Sequence, residues 1–503
     1  MRTKFSTLNI MSNICILIMQ TILSFIVRII FTKTLGQDYL GIEGVLVNLI
    51  SMFSLAELGI TLSISFSLYK PLAEKDIDTI SALMSLYKKI YNFVGITILI
   101  IGVLLIPFLD NIINITSINN FYIIYILYLL DAALTYLITY KEVLIIADQK
   151  SFKIAKYNLI SIFLIYILQI VFLFLTKNFM IYVLIQILVR FIQRIIINKY
   201  IGKIYSNIDF NSTKKLNKKE ISTIKKNVKS MFYQKIGNYL LNGTDNLIIS
   251  KFIGIGVVGV YSNFLSITTI LKNIINSITS GITASFGNLI VKDTNKTQEN
   301  VFNIMNFITF VVCGFITISL YFLLNPFIML CFGKEYILNN QCIIVICLNF
   351  YISSMLLPLD TVKGAAGIYE KDKYVSLLQA FINLVLSVIL VKEMGLLGVL
   401  LGTLFSYLII TLWNRPYIVY KYVFKSSIKL YFFKYFLRCI FLISVGILLT
   451  NIISQIVLYN KILDLILKGI VIVIVYVFLV FFMFFNTIEF KYVLTELKKR
   501  LVR

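Results

Sequence analysis

The sequence predicts an all-α polytopic membrane protein with about fourteen transmembrane helices. Three observations support this fold class: 59% of the 503 residues are hydrophobic, only 14% are charged, and the hydrophobic residues form runs of helical length. A bilayer core needs roughly 20 consecutive apolar residues per helix. Lipid excludes open sheet edges, and a membrane barrel would show short alternating segments, so these runs predict helices.

Fourteen apolar windows follow one another, separated by short polar stretches. They lie near residues 9–31, 40–62, 90–109, 121–141, 155–176, 179–198, 231–250, 257–284, 302–328, 340–362, 374–391, 396–413, 430–456 and 463–486.

The longest polar interruption is rich in lysine and follows the sixth window. We therefore predict an N-terminal lobe at 1–200, a basic cytoplasmic linker at 201–230, a C-terminal lobe at 231–415, and two additional spans with a basic tail at 416–503. The linker is either a solvated connection between the lobes or a segment attracted to anionic lipid headgroups.

A short glycine pattern occurs once in each predicted lobe. Gly36 and Gly41 precede the second window, and Gly254 and Gly259 precede the eighth, with the same offset of 218 residues. Repeats six spans apart keep the same orientation in the membrane. The pattern therefore favours two parallel lobes related by an axis normal to the bilayer.

The distribution of basic residues predicts the orientation. The formal charge is +24, but the Lys and Arg residues lie between apolar runs, which is typical of cytoplasmic loops and does not indicate nucleic-acid binding. The alternation predicts that both termini are cytoplasmic. The loops assigned to the outer side contain six basic residues: Lys33, Lys177, Lys251, Lys334, Lys392 and Lys461.

Several classes of site are excluded by composition. The chain has no histidine, which excludes His-ligated metals and Ser-His-Asp triads, and it has no phosphate-binding P-loop motif. Its six cysteines form no C-x-x-C pair, and we predict that they pack as buried apolar residues. We expect no cofactor, no metal and no covalent catalysis.

Ionisable residues inside the spans are the candidate functional residues, because burying charge in a bilayer is costly. We predict that basic residues bind the substrate and that acidic residues couple ions or form gates. The basic set is Arg28, Arg190, Arg194, Lys235 and Lys272, and the acidic set is Glu43, Glu57, Asp131 and Asp245.

Two pairs and one single residue within this set have specific interpretations. Arg190 and Arg194 are four residues apart and share one helix face, where they either hold a diphosphate or extend to the inner headgroups. Arg28 and Glu43 lie toward the outer ends of adjacent spans and form either a structural ion pair or a gate. Asp131 either neutralises a basic residue or carries a coupling proton.

Sequence motifs in both lobes resemble bacterial polysaccharide-biosynthesis flippases of the Wzx type. The motifs are KTLGQDYLGI at 33–42, SLAELGI at 54–60, SLYKPL at 67–72, GTDNLIIS at 243–250, GVYSN at 259–263 and FGNL at 286–289.

The resemblance implies the fold of the MOP superfamily, which also contains MATE-type exporters and lipid II flippases. Two six-helix lobes would face a central cavity, with two further C-terminal helices. The implied substrate is an undecaprenyl-pyrophosphate-linked oligosaccharide, a repeat unit for O-antigen or capsule export, moved from the inner to the outer leaflet by alternating access. The implied location is the bacterial inner or plasma membrane, and the implied partners are membrane lipids and the glycosyltransferases and polymerase of the same pathway.

Two alternative functions remain open. A MATE-type drug or metabolite antiporter would favour acidic and aromatic residues in its cavity. A membrane glycan polymerase or ligase would need a sizeable outer loop or a His/Asp site, neither of which this sequence provides.

Overall fold

Helices make up nearly all of the described chain, and no residue described here forms a strand. The computed structural model describes residues 2–53, 60–112, 120–214, 243–280, 293–368 and 374–501, with isolated positions at 216–240 and 286–290. The main helices are α1 (Arg2–Leu35), α2 (Gln37–Phe53), α3 (Ile60–Glu74), α4 (Ile77–Leu105), α5 (Phe121–Thr139), α6 (Glu142–Ala147), α7 (Phe152–Thr176), α8 (Phe179–Ile204), α9 (Ile255–Ser280), α10 (Asn295–Cys331), α11 (Asn340–Met355), α12 (Leu357–Ala366), α13 (Val375–Met394), α14 (Leu396–Ser406), α15 (Leu412–Val419), α16 (Lys429–Ile453), α17 (Lys461–Phe484) and α18 (Ile488–Leu501).

The predicted fold class is confirmed. Within the described ranges, twelve helices are long and apolar enough to cross a membrane, and each corresponds to one predicted window. The two remaining windows, 40–62 and 231–250, contain positions outside the described residues, so the predicted count of fourteen is approximate.

Polar residues between the apolar runs start several of these helices. Asp76 accepts a hydrogen bond of 3.0 Å from the Thr79 amide at the start of α4. Asn178 accepts one of 2.8 Å from the Met180 amide at the start of α8, and Asn460 begins α17 in the same way. Such caps satisfy amides that have no partner inside the helix.

The chain divides into two compact units, Met1–Ser262 and Asn263–Arg503, and the division falls inside α9. In the N-terminal unit, α5 packs against α4 and α8, and α7 packs against α1 and α8. In the C-terminal unit, α10 packs against α11 and against the final helices α16, α17 and α18. The lobe boundaries given by the sequence remain a prediction.

The two glycine pairs adopt equivalent local structures in the N-terminal unit. Gly36 and Gly254 both have positive φ angles, of 87° and 135°, and each ends a helical segment. Any side chain at Gly41 would overlap the carbonyl of Ile255, and any side chain at Gly259 would overlap the carbonyl of Gln37. Glycine therefore permits a close backbone crossing between α2 and the start of α9.

The first part of the predicted basic linker is mostly exposed and is held to its neighbours by polar contacts. Tyr205 donates a hydrogen bond of 2.6 Å to Asp148, and Lys88 donates one of 2.6 Å to Asn211. Lys214 forms an ion pair with Asp78. The chain at 205–214 is thereby fixed to the ends of α4 and α6. The linker lysines after Lys214 lie outside the described residues.

Candidate functional site

The N-terminal unit contains a partly open cavity of about 450 Å³, bounded by α1, α2, α4, α5, α7 and α8. This volume lies within the range of small-molecule sites in proteins. Its polar lining residues are Ser24, Arg28, Glu43, Ser51, Tyr128, Asp131, Thr135, Tyr136, Tyr166, Tyr182, Gln186 and Arg190.

The two arginines on α8 share one carboxylate. Arg190 lies 3.2 Å and Arg194 lies 2.7 Å from the Asp131 side chain on α5. Arg194 also donates to the Asp131 main-chain carbonyl at 3.3 Å. The Asp131 carboxylate thus reduces the repulsion between two like charges on one helix face.

The two arginines differ in their access to the cavity. The Arg190 side chain is 41% exposed and lines the cavity, whereas the Arg194 side chain is 12% exposed and does not. Arg190 can therefore meet a ligand directly, while Arg194 holds Asp131 in place.

Arg28 and Glu43 line the same cavity. Arg28 on α1 donates a hydrogen bond of 2.5 Å to the Ser262 hydroxyl. The Glu43 carboxylate accepts a hydrogen bond from Tyr182 and interacts electrostatically with Arg28 and Arg190. The predicted association of Arg28 with Glu43 is thus part of a larger network that includes α8.

The charges that line the cavity are balanced. The lining contains two bases, Arg28 and Arg190, and two acids, Glu43 and Asp131. The sequence analysis predicted a cationic cavity because it considered each basic residue without its packing partners. The packing of α5 against α8 brings an acid to the basic face, so an anionic ligand must compete with the protein's own carboxylates for the arginines.

A further acidic residue extends the network beside Arg194. Burial raises the pKa of Glu142 to about 7, although the positive charge of Arg194 acts in the opposite direction. Glu142 begins α6, between two spans. Acidic and basic groups therefore alternate through the unit, in the order Glu142, Arg194, Asp131, Arg190 and Glu43.

The remaining predicted residues lie elsewhere. Asp245 is 8% exposed on the helical segment at 243–252 and does not line the cavity. Lys272 belongs to the C-terminal unit and lies near Arg415 and Cys313. Glu57 and Lys235 lie outside the described residues.

Sequence reasoning missed the uncharged part of the site. Three of the lining tyrosines, Tyr128, Tyr166 and Tyr182, interact with Glu43. Tyr182 and Gln186 precede Arg190 and Arg194 at intervals of four residues, so all four share one face of α8. This polar stripe was a signal available in the sequence.

Known structures share this fold at low sequence identity. One is "Lipid II flippase MurJ, inward closed conformation", with a TM-score of 0.70, 15% identity, and coverage of 97% of this chain and 100% of that chain. Another is an inward-facing multidrug resistance MATE family transporter of the MOP superfamily, with a TM-score of 0.66, 14% identity, and coverage of 83% and 99%. A third is the Vibrio cholerae MATE transporter VcmN in the bent form, with a TM-score of 0.54, 12% identity, and coverage of 84% and 98%.

Sequence comparisons identify the family. A search of curated protein sequences finds no match. The family model described as "Polysaccharide biosynthesis protein" matches residues 6–286, which is more than half of the chain and includes every residue that lines the cavity. The chain therefore belongs to the polysaccharide biosynthesis protein family.

Proposed function

We propose that this protein is a flippase that moves an undecaprenyl-pyrophosphate-linked oligosaccharide from the inner to the outer leaflet by alternating access. The observation that carries the proposal is the cavity lined by Arg28 and Arg190 together with tyrosines and two acids, within the segment that matches the polysaccharide biosynthesis family. The lipid II flippase with the same fold adds support at the level of architecture.

The lining suits a phosphorylated carbohydrate. Arginine presents a planar donor fork that matches phosphate oxygens. Tyrosine offers a ring face and a hydroxyl group to a sugar. A diphosphate-sugar headgroup cannot cross hydrocarbon without losing its hydration, and a polar cavity replaces that hydration while the isoprenoid tail stays in lipid.

Substrate binding and protonation are linked in this proposal. Glu43 and Asp131 compete with the diphosphate for Arg28 and Arg190, so protonation of an acid releases positive charge for the substrate. Glu43 and Asp131 are therefore proposed as the coupling or gating groups. The transport cycle forms no covalent intermediate.

Proteoliposomes test this function directly. The purified chain should move a fluorescent undecaprenyl-pyrophosphate-linked glycan between leaflets, and Arg190→Ala should abolish this movement. Lys203→Ala is the matched control, because Lys203 lies exposed on the same helix. Unchanged surface glycan in a deletion strain, with no lipid-linked glycan accumulating on the inner leaflet, would contradict the proposal.

A MATE-type cation antiporter is the second candidate, favoured by the acids and tyrosines that line the cavity and by the MATE-like fold. Competition distinguishes the two functions. Lipophilic cations should inhibit an antiporter, whereas a soluble sugar diphosphate should inhibit the flippase.

The proposal also assigns a location and partners. The chain would reside in a bacterial inner or plasma membrane with both termini in the cytoplasm. It would receive its substrate from glycosyltransferases and deliver it to a polymerase. Cysteine labelling near the C-terminal helix α18 from each side of the membrane tests the orientation.

A further inference from the structure

The C-terminal unit contains a groove of about 440 Å³. It is bounded by α13, the π-helical turn Tyr407–Thr411, α15 and the start of α16, and its lining is mostly apolar and aromatic. These elements belong to three helices that are long and apolar enough to cross a membrane. The groove therefore lies between membrane spans, where lipid chains are the available apolar ligands.

Aromatic side chains mark one end of the groove. Trp413, the only tryptophan in the chain, and Tyr417 are 49% and 48% exposed. The ring centroids of Trp413 and Phe432 lie 4.8 Å apart. Tryptophan and tyrosine are enriched at membrane interfaces, where the ring contacts apolar groups and its polar edge meets the headgroups. We therefore place this end of the groove at headgroup level.

A lysine lies at the same end of the groove. Lys421 donates a hydrogen bond of 2.7 Å to the Tyr417 hydroxyl, and its ammonium group lies 5.0 Å from the centre of the Tyr417 ring. An ammonium group has three donors, and Tyr417 uses one of them. Lys425 and Lys429 are exposed on either side of the short loop that leads into α16. This end of the groove thus presents positive charge to the leaflet on its side, which the distribution of basic residues predicts to be cytoplasmic.

An amide lies deeper in the groove. Asn414 lines the groove and precedes Lys421 by seven residues, which is two helical turns or roughly 10 Å along the axis. Its buried Oδ1 has no hydrogen-bond partner in the described part of the chain. An amide both donates and accepts hydrogen bonds, and the ester groups of a phospholipid lie just below its phosphate. The groove therefore combines a positive group at its mouth, an amide below it and apolar walls.

We propose that this groove binds one anionic phospholipid, with the phosphate at Lys421 and an acyl chain along the apolar walls. The charge at the mouth favours a lipid such as phosphatidylglycerol over phosphatidylcholine, whose own ammonium group Lys421 repels. Burial of the acyl chain against the walls adds affinity. This site is separate from the cavity of the N-terminal unit, and the inference does not require that the protein move a glycan.

The single tryptophan provides the probe for this site. Bromine atoms on an acyl chain quench tryptophan fluorescence at short range, so the full chain in nanodiscs reports which lipid lies against Trp413. Brominated phosphatidylglycerol should be preferred over brominated phosphatidylcholine by about fivefold at low ionic strength. Lys421→Gln should remove this preference. Lys392→Gln is the matched control, because Lys392 is an exposed base near the other end of α13, and it should keep the preference.

Each outcome decides the proposal. Equal quenching by the two lipids in the wild type would show that unselected lipid surrounds Trp413 and would overturn the site. A preference that persists in Lys421→Gln would overturn it too, because the selectivity would then arise elsewhere. High salt tests the wild type without a mutation, since screening should remove the preference.

Undecaprenyl phosphate tests the other occupant that the groove could hold. Unbrominated phosphatidylglycerol should relieve the quenching by its brominated form more effectively than undecaprenyl phosphate does. If undecaprenyl phosphate is the more effective competitor, the groove holds an isoprenoid tail and the phospholipid assignment is wrong.

Discussion

The Arg194 guanidinium lies 2.7 Å from the Asp131 carboxylate, and this contact fixes α8 against α5. Removing one partner of a buried ion pair leaves the other charge uncompensated. We therefore expect Asp131→Ala to reduce the free energy of unfolding by roughly 3 to 5 kcal/mol. Thermal unfolding in nanodiscs measures the loss, and Arg194→Leu in the same background should recover part of it.

The control for this prediction is an exposed ion pair. Lys70 and Glu74 lie 3.8 Å apart with side chains that are 82% and 57% exposed. Lys70→Ala should change stability by less than about 0.5 kcal/mol. Equal losses in Asp131→Ala and Lys70→Ala would show that the α5–α8 ion pair contributes little.

Arg190 and Arg194 should respond differently to mutation. Arg190→Gln is expected to lower transport at least tenfold at near-normal protein level, because its side chain faces the cavity. Arg194→Gln is expected to lower protein level and transport together, because its side chain is buried against Asp131. Immunoblotting beside a flipping assay separates these outcomes, and parallel losses in both variants would refute the division of roles.

Substitution of Arg28 or Glu43 is expected to reduce transport more than it reduces membrane insertion. Arg28→Ala and Glu43→Ala each remove a charge that lines the cavity and leave the apolar surface of the helix unchanged. Transport per molecule should fall at least tenfold in each variant. If protein level and transport fall equally, the pair has a structural role alone.

The glycine crossing predicts a large effect from a small substitution. Gly41→Ala and Gly259→Ala should each prevent stable folding, because the added methyl group overlaps a backbone carbonyl. Gly446→Ala is the control, since its methyl group would have the Ile318 side chain as its nearest neighbour, at 3.9 Å. Alanine normally stabilises a helix interior by about 0.5 to 1 kcal/mol relative to glycine. Similar melting temperatures for all three variants would exclude the crossing.

Glu142 predicts a dependence of stability on pH. Its pKa is raised by burial to about 7 from an ordinary 4.5, so the folded state retains a proton that the unfolded state releases. This contribution is fully present below pH 4.5 and is lost as the pH rises to about 7. Glu142→Gln should therefore match the wild type at pH 4 and exceed its stability above pH 7, by roughly 3 kcal/mol. If the difference in stability between Glu142→Gln and the wild type does not change with pH across this range, the assignment is contradicted.

The fold could be predicted from the sequence because membrane helices depend mainly on length and hydropathy. All twelve helices that are long and apolar enough to span a membrane were visible as apolar windows, and polar caps such as Asn178 marked where one helix ends and the next begins. The helix from Ile77 begins well before its predicted window at 90–109, because its first turns carry polar residues that hydropathy assigns to a loop.

The site was less predictable because it depends on which helices pack together. The sequence identified Arg190, Arg194 and Asp131 as costly residues but gave no reason to place α5 beside α8. Glu142 was missed because it lies between two spans, where carboxylates are usually exposed to water and are not costly. Its burial arises from tertiary packing beside Arg194.

The shared carboxylate of α5 also has a consequence for biosynthesis. The ribosome completes the segment that carries Asp131 before it synthesises Arg190 and Arg194. An isolated helix with two arginines inserts poorly, at a cost of about 2.5 to 3.5 kcal/mol for each central charge. We therefore expect the translocon to retain α5 until α8 arrives, so that the opposite charges enter the lipid together.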